Sequence, residues 1–299
     1  MEKFDAYQMV TDRITALLEQ GLIPWARPWS SVAACAWSHN DGRQYSLINQ
    51  MLLADPEKKY TNMAELLKDV TGEWITFEQA KKEGGHVKKG AKGRPVVFFK
   101  VYEKKTEETD ENGEQVTQKF PVLKRFTVFR VADCEGIKQR YNNEETSNVI
   151  PADATADSIA ADYVHRFGIT CNEVKSNRAY YSPAIDTVVV PLRSQFSSSA
   201  EFYSTLYHEL THSTGHKDRL NRLTKTAAFG NGEYSTEELT AEIGAASVLA
   251  TLGIETDESF RNSVGYIQGW LKALKDDKKM IVVAAARAEK AIRLILGID

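Results

Sequence analysis

Residues 207–216 read Tyr207-His208-Glu209-Leu210-Thr211-His212-Ser213-Thr214-Gly215-His216. Within them lies H-E-x-x-H, two histidines four residues apart with a glutamate directly after the first. On an α-helix, positions i and i+4 stand one turn apart on the same face, so both imidazoles can grip one ion. Neutral imidazole suits Zn²⁺, and two such ligands leave space for a third ligand and a water. Glu209 is placed to take a proton from that water as general base. The spacing describes a hydrolytic zinc site of the kind peptidases use. Chance is the competing explanation for three fixed residues, and the flanks argue against it. Phe202, Tyr203, Leu206 and Leu210 recur at helical spacing and give the helix an apolar face. Ser197 to Ser199 offer N-caps, and Gly215 a C-cap.

The third ligand has two candidates. His208 to Asp218 fits H-E-x-x-H-x-x-G-x-x-D, a metzincin variant that also requires a downstream methionine turn. The only later methionine, Met280, sits in a helical, lysine-rich context, and His216 arrives two residues early for the metzincin spacing. The second candidate is Glu238, in Glu237-Glu238-Leu239-Thr240-Ala241-Glu242. Glu238 and Glu242 share a helix face, so Glu238 can bind metal while Glu242 orients a ligating histidine. A solvated acidic face is the alternative. Leu239, Ile243, Ala246 and Leu249 nevertheless mark a mostly buried helix, where unpaired carboxylates are costly. The reading favours Glu238.

Composition bounds the rest. A chain of 299 residues, 42% hydrophobic and 26% charged, makes one large or two ordinary domains. Residues 1–130 hold 20 Lys/Arg against 18 Asp/Glu, whereas the remainder holds 18 against 23. A neutral-to-basic half thus precedes an acidic half. Cys35, Cys134 and Cys171 are odd in number and widely spaced, which fits a reducing cytoplasm better than a disulfide framework. Met1 to Gln20 mixes charges of both signs and lacks a signal-peptide pattern. No apolar run approaches the ~18 residues of a membrane span. The expectation is a cytoplasmic protein with no membrane partner.

In chain order, Phe4 to Leu18 follows a 3.6-residue period and should form an amphipathic helix ended by Gly21. Ile23 to Trp29 is an extended segment with two prolines and two tryptophans. Short helices are expected near 48–53 and 63–68. Trp74-Ile75-Thr76 reads as a strand running into a helix capped by Thr76. Lys81 to Lys105 holds nine Lys/Arg against two Glu, with four glycines, a composition suited to phosphate contacts or to plain solvation. Val96 to Tyr102 and Phe126 to Val131 read as strands separated by the polar tip Lys104 to Lys119. Asp186 to Pro191 reads as a strand, either an edge where a peptide could add itself or a core strand. Helices near 235–252, 257–275 and 277–296 close the chain.

Two parts of the chain resemble a known family. Pro24-Trp25, Pro28-Trp29, Tyr45, Asn49, Tyr60, Trp74-Ile75-Thr76, Gln79-Ala80, Gly84-Gly85 and Val87-Lys88-Lys89-Gly90 resemble the single-stranded-DNA-binding domain of ArdC-type antirestriction proteins. Tyr180-Tyr181, Asp186, Pro191, the histidine motif, Arg219-Leu220-Asn221-Arg222 and Glu237 to Glu242 resemble the zincin-type metallopeptidase domain that follows it there. The resemblance implies a mobile-element protein that protects incoming single strands during conjugation, with Glu238 as third ligand. Ala33 to His39 and Ser46-Leu47 depart from the family pattern and bear on the shape of the DNA groove.

The residues themselves are compatible with that function. Sequence-tolerant single-strand binding needs aromatic platforms and a cationic track. Trp25, Trp29, Trp37, Tyr45 and Trp74 are the candidate platforms; Lys81, Lys82, Lys88, Lys89, Lys92 and Arg94 are the candidate track. Packing in the core is the competing role for each tryptophan.

The expectation is therefore two α+β domains: a DNA-binding module over 1–133, a linker over 134–150 and a zincin over 151–299. One Zn²⁺, or another divalent ion, would sit on His208, His212 and Glu238. Single-stranded DNA and an unidentified protein or peptide substrate are the expected partners. Two alternatives are a DNA-protection module with a structural metal, and a peptidase whose front domain binds a protein.

Overall fold

The computed structural model describes residues 4–25, 35–109, 115–140, 155–223, 232–254 and 264–298. Helix α1 (Ala6–Leu18) starts at Asp5, whose carboxylate accepts hydrogen bonds from the backbone N–H groups of Tyr7 and Gln8. Strand β1 (Ala36–Ser38), helices α2 (Leu47–Leu52) and α3 (Met63–Val70) and strand β2 (Gly72–Thr76) follow. The expected cap is present between β2 and α4 (Phe77–Lys82). Thr76 accepts from the Gln79 N–H while the Gln79 side chain accepts from the Thr76 N–H.

β3 (His86–Val87) leads to the long hairpin of β4 (Arg94–Thr109) and β5 (Gln115–Arg130). Pairing continues to Thr109 opposite Gln115, so most of the stretch expected as a polar tip is strand. The antiparallel ladder satisfies the backbone groups there whatever the side chains' polarity. The four-stranded sheet runs β1-β2-β5-β4, with β1 parallel to β2 and the other neighbours antiparallel.

The stretch expected as a linker opens with a strand, β6 (Cys134–Glu135), which pairs with β3. Arg140 is held to the first half: its N–H reaches the Glu73 carboxylate at 2.9 Å and its guanidinium lies 2.9 Å from Glu83. Residues 141–150 lie outside the described residues.

The second half begins with α5 (Ala156–Phe167) and a three-stranded sheet of β7 (Thr170–Val174), β8 (Tyr180–Ser182) and β9 (Thr187–Pro191). Its order, β7-β9-β8, places β9 in the centre, with four buried residues in succession. The edge reading of residues 186–191 is therefore corrected. Val188, Val189 and Val190 are buried as in a central strand, and β7 and β8 are the outer ones. Helices α6 (Ser199–Ser213), α7 (Gly232–Thr251), α8 (Val264–Asp276) and α9 (Met280–Leu296) complete the fold. No helix among the described residues is long and apolar enough to cross a membrane.

The two halves share one core. Val10, Ile14 and Leu18 of α1 and Leu47 and Met51 of α2 join the same buried cluster as Leu206 and Leu210 of α6, Ile243 and Leu249 of α7, and Ile281 and Ile292 of α9. Glu289 of α9 accepts a 2.9 Å hydrogen bond from the Leu47 N–H at the start of α2. A second cluster, containing Tyr45, Trp74, Val96 and Val128, lies wholly in the first half.

Candidate metal centre

Helix α6 carries the motif. Ser198 is its N-cap, accepting from the Glu201 N–H at 3.2 Å, while Phe202, Leu206 and Leu210 face the core. The C-cap is Thr214 in right-handed helical conformation, not Gly215. Gly215 is needed for another reason. A Cβ there would stand 2.7 Å from the Leu223 side chain and 3.0 Å from that of Arg222. The chain after the helix folds back tightly against it at this point.

Helix α7 packs on α6 through an equally close contact. A Cβ at Gly244 would lie 2.6 Å from Thr211. Without one, the helices approach until Glu238 reaches across to the histidines. Its carboxylate oxygens lie 3.6 Å from His208 Nε2 and 3.6 Å from His212 Nε2, and the two Nε2 atoms are 3.1 Å apart. Ligands about 2.0–2.1 Å from a tetrahedral ion stand about 3.3 Å from one another. The donor spacings bracket that value, so the residues present fit a divalent ion. Asp218, the other candidate, is 71% exposed and faces His216 instead.

Each histidine is also held from behind. His208 Nδ1 stands 3.6 Å from Glu242. His212 Nδ1 stands 3.1 Å from Glu237, whose carboxylate accepts from both Nε and Nη2 of Arg222, at 2.9 and 3.0 Å. Arg222 also donates to the Thr211 carbonyl and the Thr214 hydroxyl. A carboxylate on Nδ1 fixes the tautomer that leaves Nε2 free to ligate. Glu237 and Arg222 carry no spacing signal for this role in the sequence, where only Glu242 is expected to orient a histidine. A buried arginine does signal a carboxylate partner, but spacing alone does not say which of three glutamates it meets.

The electrostatics follow from this crowding. Burial disfavours charge on His208, but Glu238, Glu242 and Glu209 outweigh it and raise the pKa to about 8. Burial raises the Glu209 pKa, against the pull of His212 and His208 and a backbone hydrogen bond from Tyr181. Burial also opposes ionisation of Glu237, yet hydrogen bonding to His212 and the charge of Arg222 win and lower its pKa.

The two halves of the chain match two different families. Residues 158–287 match the family of zincin-like metallopeptidases, and residues 4–129 match the N-terminal domain of anti-restriction factor ArdC. The Mn(II)-bound crystal structure of the antirestriction ArdC protein from the R388 plasmid is 35% identical, with a TM-score of 0.67, covering 98% of this chain and 97% of that one. The chain belongs to the ArdC-type antirestriction proteins. The metal-free structure of the same plasmid protein has 37% identity and a TM-score of 0.65 over the same coverage. A DNA primase TraC of Escherichia coli is 31% identical over 98% of this chain, which spans only 20% of the primase. The fold is thus α+β, with an ArdC-type N-terminal domain and a zincin-like C-terminal domain.

In the N-terminal family domain the expected aromatic platforms are corrected. Trp25 is 0%, Trp74 1%, and Tyr45 and Trp37 each 7% exposed. Trp25 belongs to the core shared by both halves, and its carbonyl accepts from Ser247 at 3.2 Å. The Trp74 indole donates to the Val70 carbonyl at 2.9 Å. Rings packed on both faces cannot stack on a base. Trp29 lies outside the described residues. Of the cationic set, Lys81, Lys82, Lys88, Lys89 and Lys92 are at least partly exposed. Arg94 is instead drawn into ion pairs with Asp55 at 2.8 Å and Asp69 at 3.4 Å, which removes it from the track.

Proposed function

We propose that this chain is a metal-dependent, single-stranded-DNA-binding antirestriction protein of a mobile element, acting in the cytoplasm, whose zincin domain hydrolyses peptide bonds. The observation that carries the reading is the convergence of His208, His212 and Glu238 on one point beside Glu209. When bound there, a divalent ion supplies a Lewis acid and acidifies a water enough for deprotonation near neutrality. Two imidazoles and a carboxylate suit Zn²⁺, and Mn²⁺ is the alternative in view of the relative's Mn(II)-bound structure.

The remaining chemistry belongs to the protein. Glu237 and Glu242 hold the two rings by their Nδ1 atoms. Glu209, beside the histidines and with its pKa raised by burial, takes the proton of the attacking water as general base. Strand β8 runs beside it, the Tyr181 backbone bonding to the Glu209 carboxylate. A substrate peptide in extended conformation would add along that outer strand. A metal with a purely structural role would have no use for a carboxylate at Glu209, directly after the first ligand.

The test is metal analysis, peptide hydrolysis and oligonucleotide binding on one set of variants. Wild type should carry about one divalent ion, and His212→Ala should lose it. Glu209→Gln should keep the ion and the DNA affinity while hydrolysis ceases. Hydrolysis at the original rate in Glu209→Gln overturns its role as base; full metal retention by His212→Ala overturns the ligand set.

A further inference from the structure

The hairpin β4–β5 carries a surface that the sequence patterns did not single out. Alternate residues of a strand share a face, and in this ladder Val96 lies opposite Phe126, Phe98 opposite Lys124 and Lys100 opposite Val122. The face that buries Val96 and Val128 in the core of the first half therefore continues outward as Phe126, Phe98, Lys124, Lys100 and Tyr102. The change from core to surface is abrupt. Val96 is 0% exposed, whereas Phe98 is 47%, Phe126 45% and Tyr102 38% exposed.

The three rings form a row with cations among them. Phe98 and Phe126 meet edge to face with centroids 5.7 Å apart, and Phe98 leans on buried Tyr45 at 6.3 Å. The ammonium groups of Lys100 and Lys124 lie 5.5 and 5.0 Å from the Tyr102 ring centroid.

Resting on the reading that the chain binds single-stranded DNA, we propose that this face of the hairpin is where the bases stack, with Phe98, Tyr102 and Phe126 as platforms and Lys100 and Lys124 as phosphate contacts. Charge complementarity selects the occupant. An apolar protein partner would leave two ammonium groups desolvated within its footprint, whereas a polyanion with π-faces satisfies rings and lysines together. Bases in a duplex present no free face, so the surface discriminates for single strands. It also supplies the platforms that buried Trp25 and Trp74 cannot. The lysines at 88, 89 and 92 lie just before β4 and would extend the phosphate path from its other end.

The test uses the full-length protein and a fluorescein-labelled oligo-dT strand, read by anisotropy. Phe98→Ala and Phe126→Ala should each weaken binding roughly ten- to a hundredfold, as loss of one stacked base does, and Phe98→Trp should retain it. Lys100→Gln with Lys124→Gln should flatten the log–log salt dependence by about 1.4 units. Metal content should stay at the wild-type value, because none of the substituted residues is among the metal-site ligands or the carboxylates behind them. Wild-type affinity in the aromatic variants, alongside normal wild-type binding, overturns this surface and leaves the DNA reading standing. If wild type itself fails to bind the strand, the DNA reading falls and this proposal with it. Variants that lose self-association in sedimentation while binding DNA normally would assign the face to a second copy of the chain, again overturning the proposal.

Discussion

Helix α6 and the tryptophans of the first half pose the same question to a reader of the sequence, and tertiary structure answers it differently in the two places. His208 and His212 are four residues apart on one helix, so their mutual placement is a property of the helix itself. Trp25 and Trp74 are 49 residues apart and belong to two different hydrophobic clusters. Whether their rings face solvent depends on what packs over them. A metal ligand pair is recognisable from local spacing, whereas a stacking platform is defined by exposure, which no local pattern reports. Among the exposed rings are Phe98, Phe126 and Tyr102, on a hairpin that reads, in sequence, as two ordinary strands.

The contrast between helix and tryptophans fails if a buried tryptophan proves to bind DNA. Trp74→Ala should cost about 3–5 kcal/mol of stability, as loss of a fully buried large ring does, while the molecules that remain folded bind oligo-dT as wild type does. Urea unfolding followed by circular dichroism measures the first quantity and anisotropy the second. An unchanged urea midpoint with weakened binding would restore Trp74 to the DNA surface and undo the contrast.

A smaller effect sharpens the metal side. Glu237→Gln removes the charge that holds His212 Nδ1 and pairs with Arg222. Metal affinity should fall about 10–100-fold, as for other partners of ligating histidines, with the three ligands still present. Competition against a chelator gives the number. No change would mean that helix geometry alone orients His212 and that Glu237 serves only the fold.

The smallest effect concerns the lysine loop. Neutralising Lys88 and Lys89 together should lower the salt slope of oligonucleotide binding by about 1.4 units, from about 0.7 per phosphate contact. Lys88 also donates to the Ala132 carbonyl at 3.0 Å, so one of the two ammonium groups is partly engaged already. A slope unchanged in this variant but flattened by the Lys100 and Lys124 pair would confine the phosphate path to the hairpin.

Legibility followed the range of the interaction. The α6 helix and the Thr76–Gln79 capping box depend on neighbours within four residues, and their patterns are explicit. Gly215 shows the limit. Its position past the last helical residue suggests a left-handed cap, but the returning chain at Leu223 needs the space a Cβ would fill. Asp186 to Pro191 shows another: an apolar run fits edge or centre, and only the pairing of β9 with both β7 and β8 decides for the centre.

By itself, the sequence determined the two-part α+β organisation, the helix that presents His208, Glu209 and His212 together, and the candidacy of Glu238 over a short span of acidic residues. Those depend on backbone periodicity and composition, which each segment carries within it. Only the tertiary structure decided that α7 approaches α6 closely enough at Gly244 to bring Glu238 within 3.6 Å of both imidazoles. It also decided that Arg222 and Glu237 brace His212, and that Phe98, Tyr102 and Phe126 remain in solvent while Trp25, Trp37 and Trp74 do not. Each of these is a contact, or the lack of one, between residues distant in the chain. Its free energy depends on which surfaces meet, and that is a property of the packed molecule rather than of any segment.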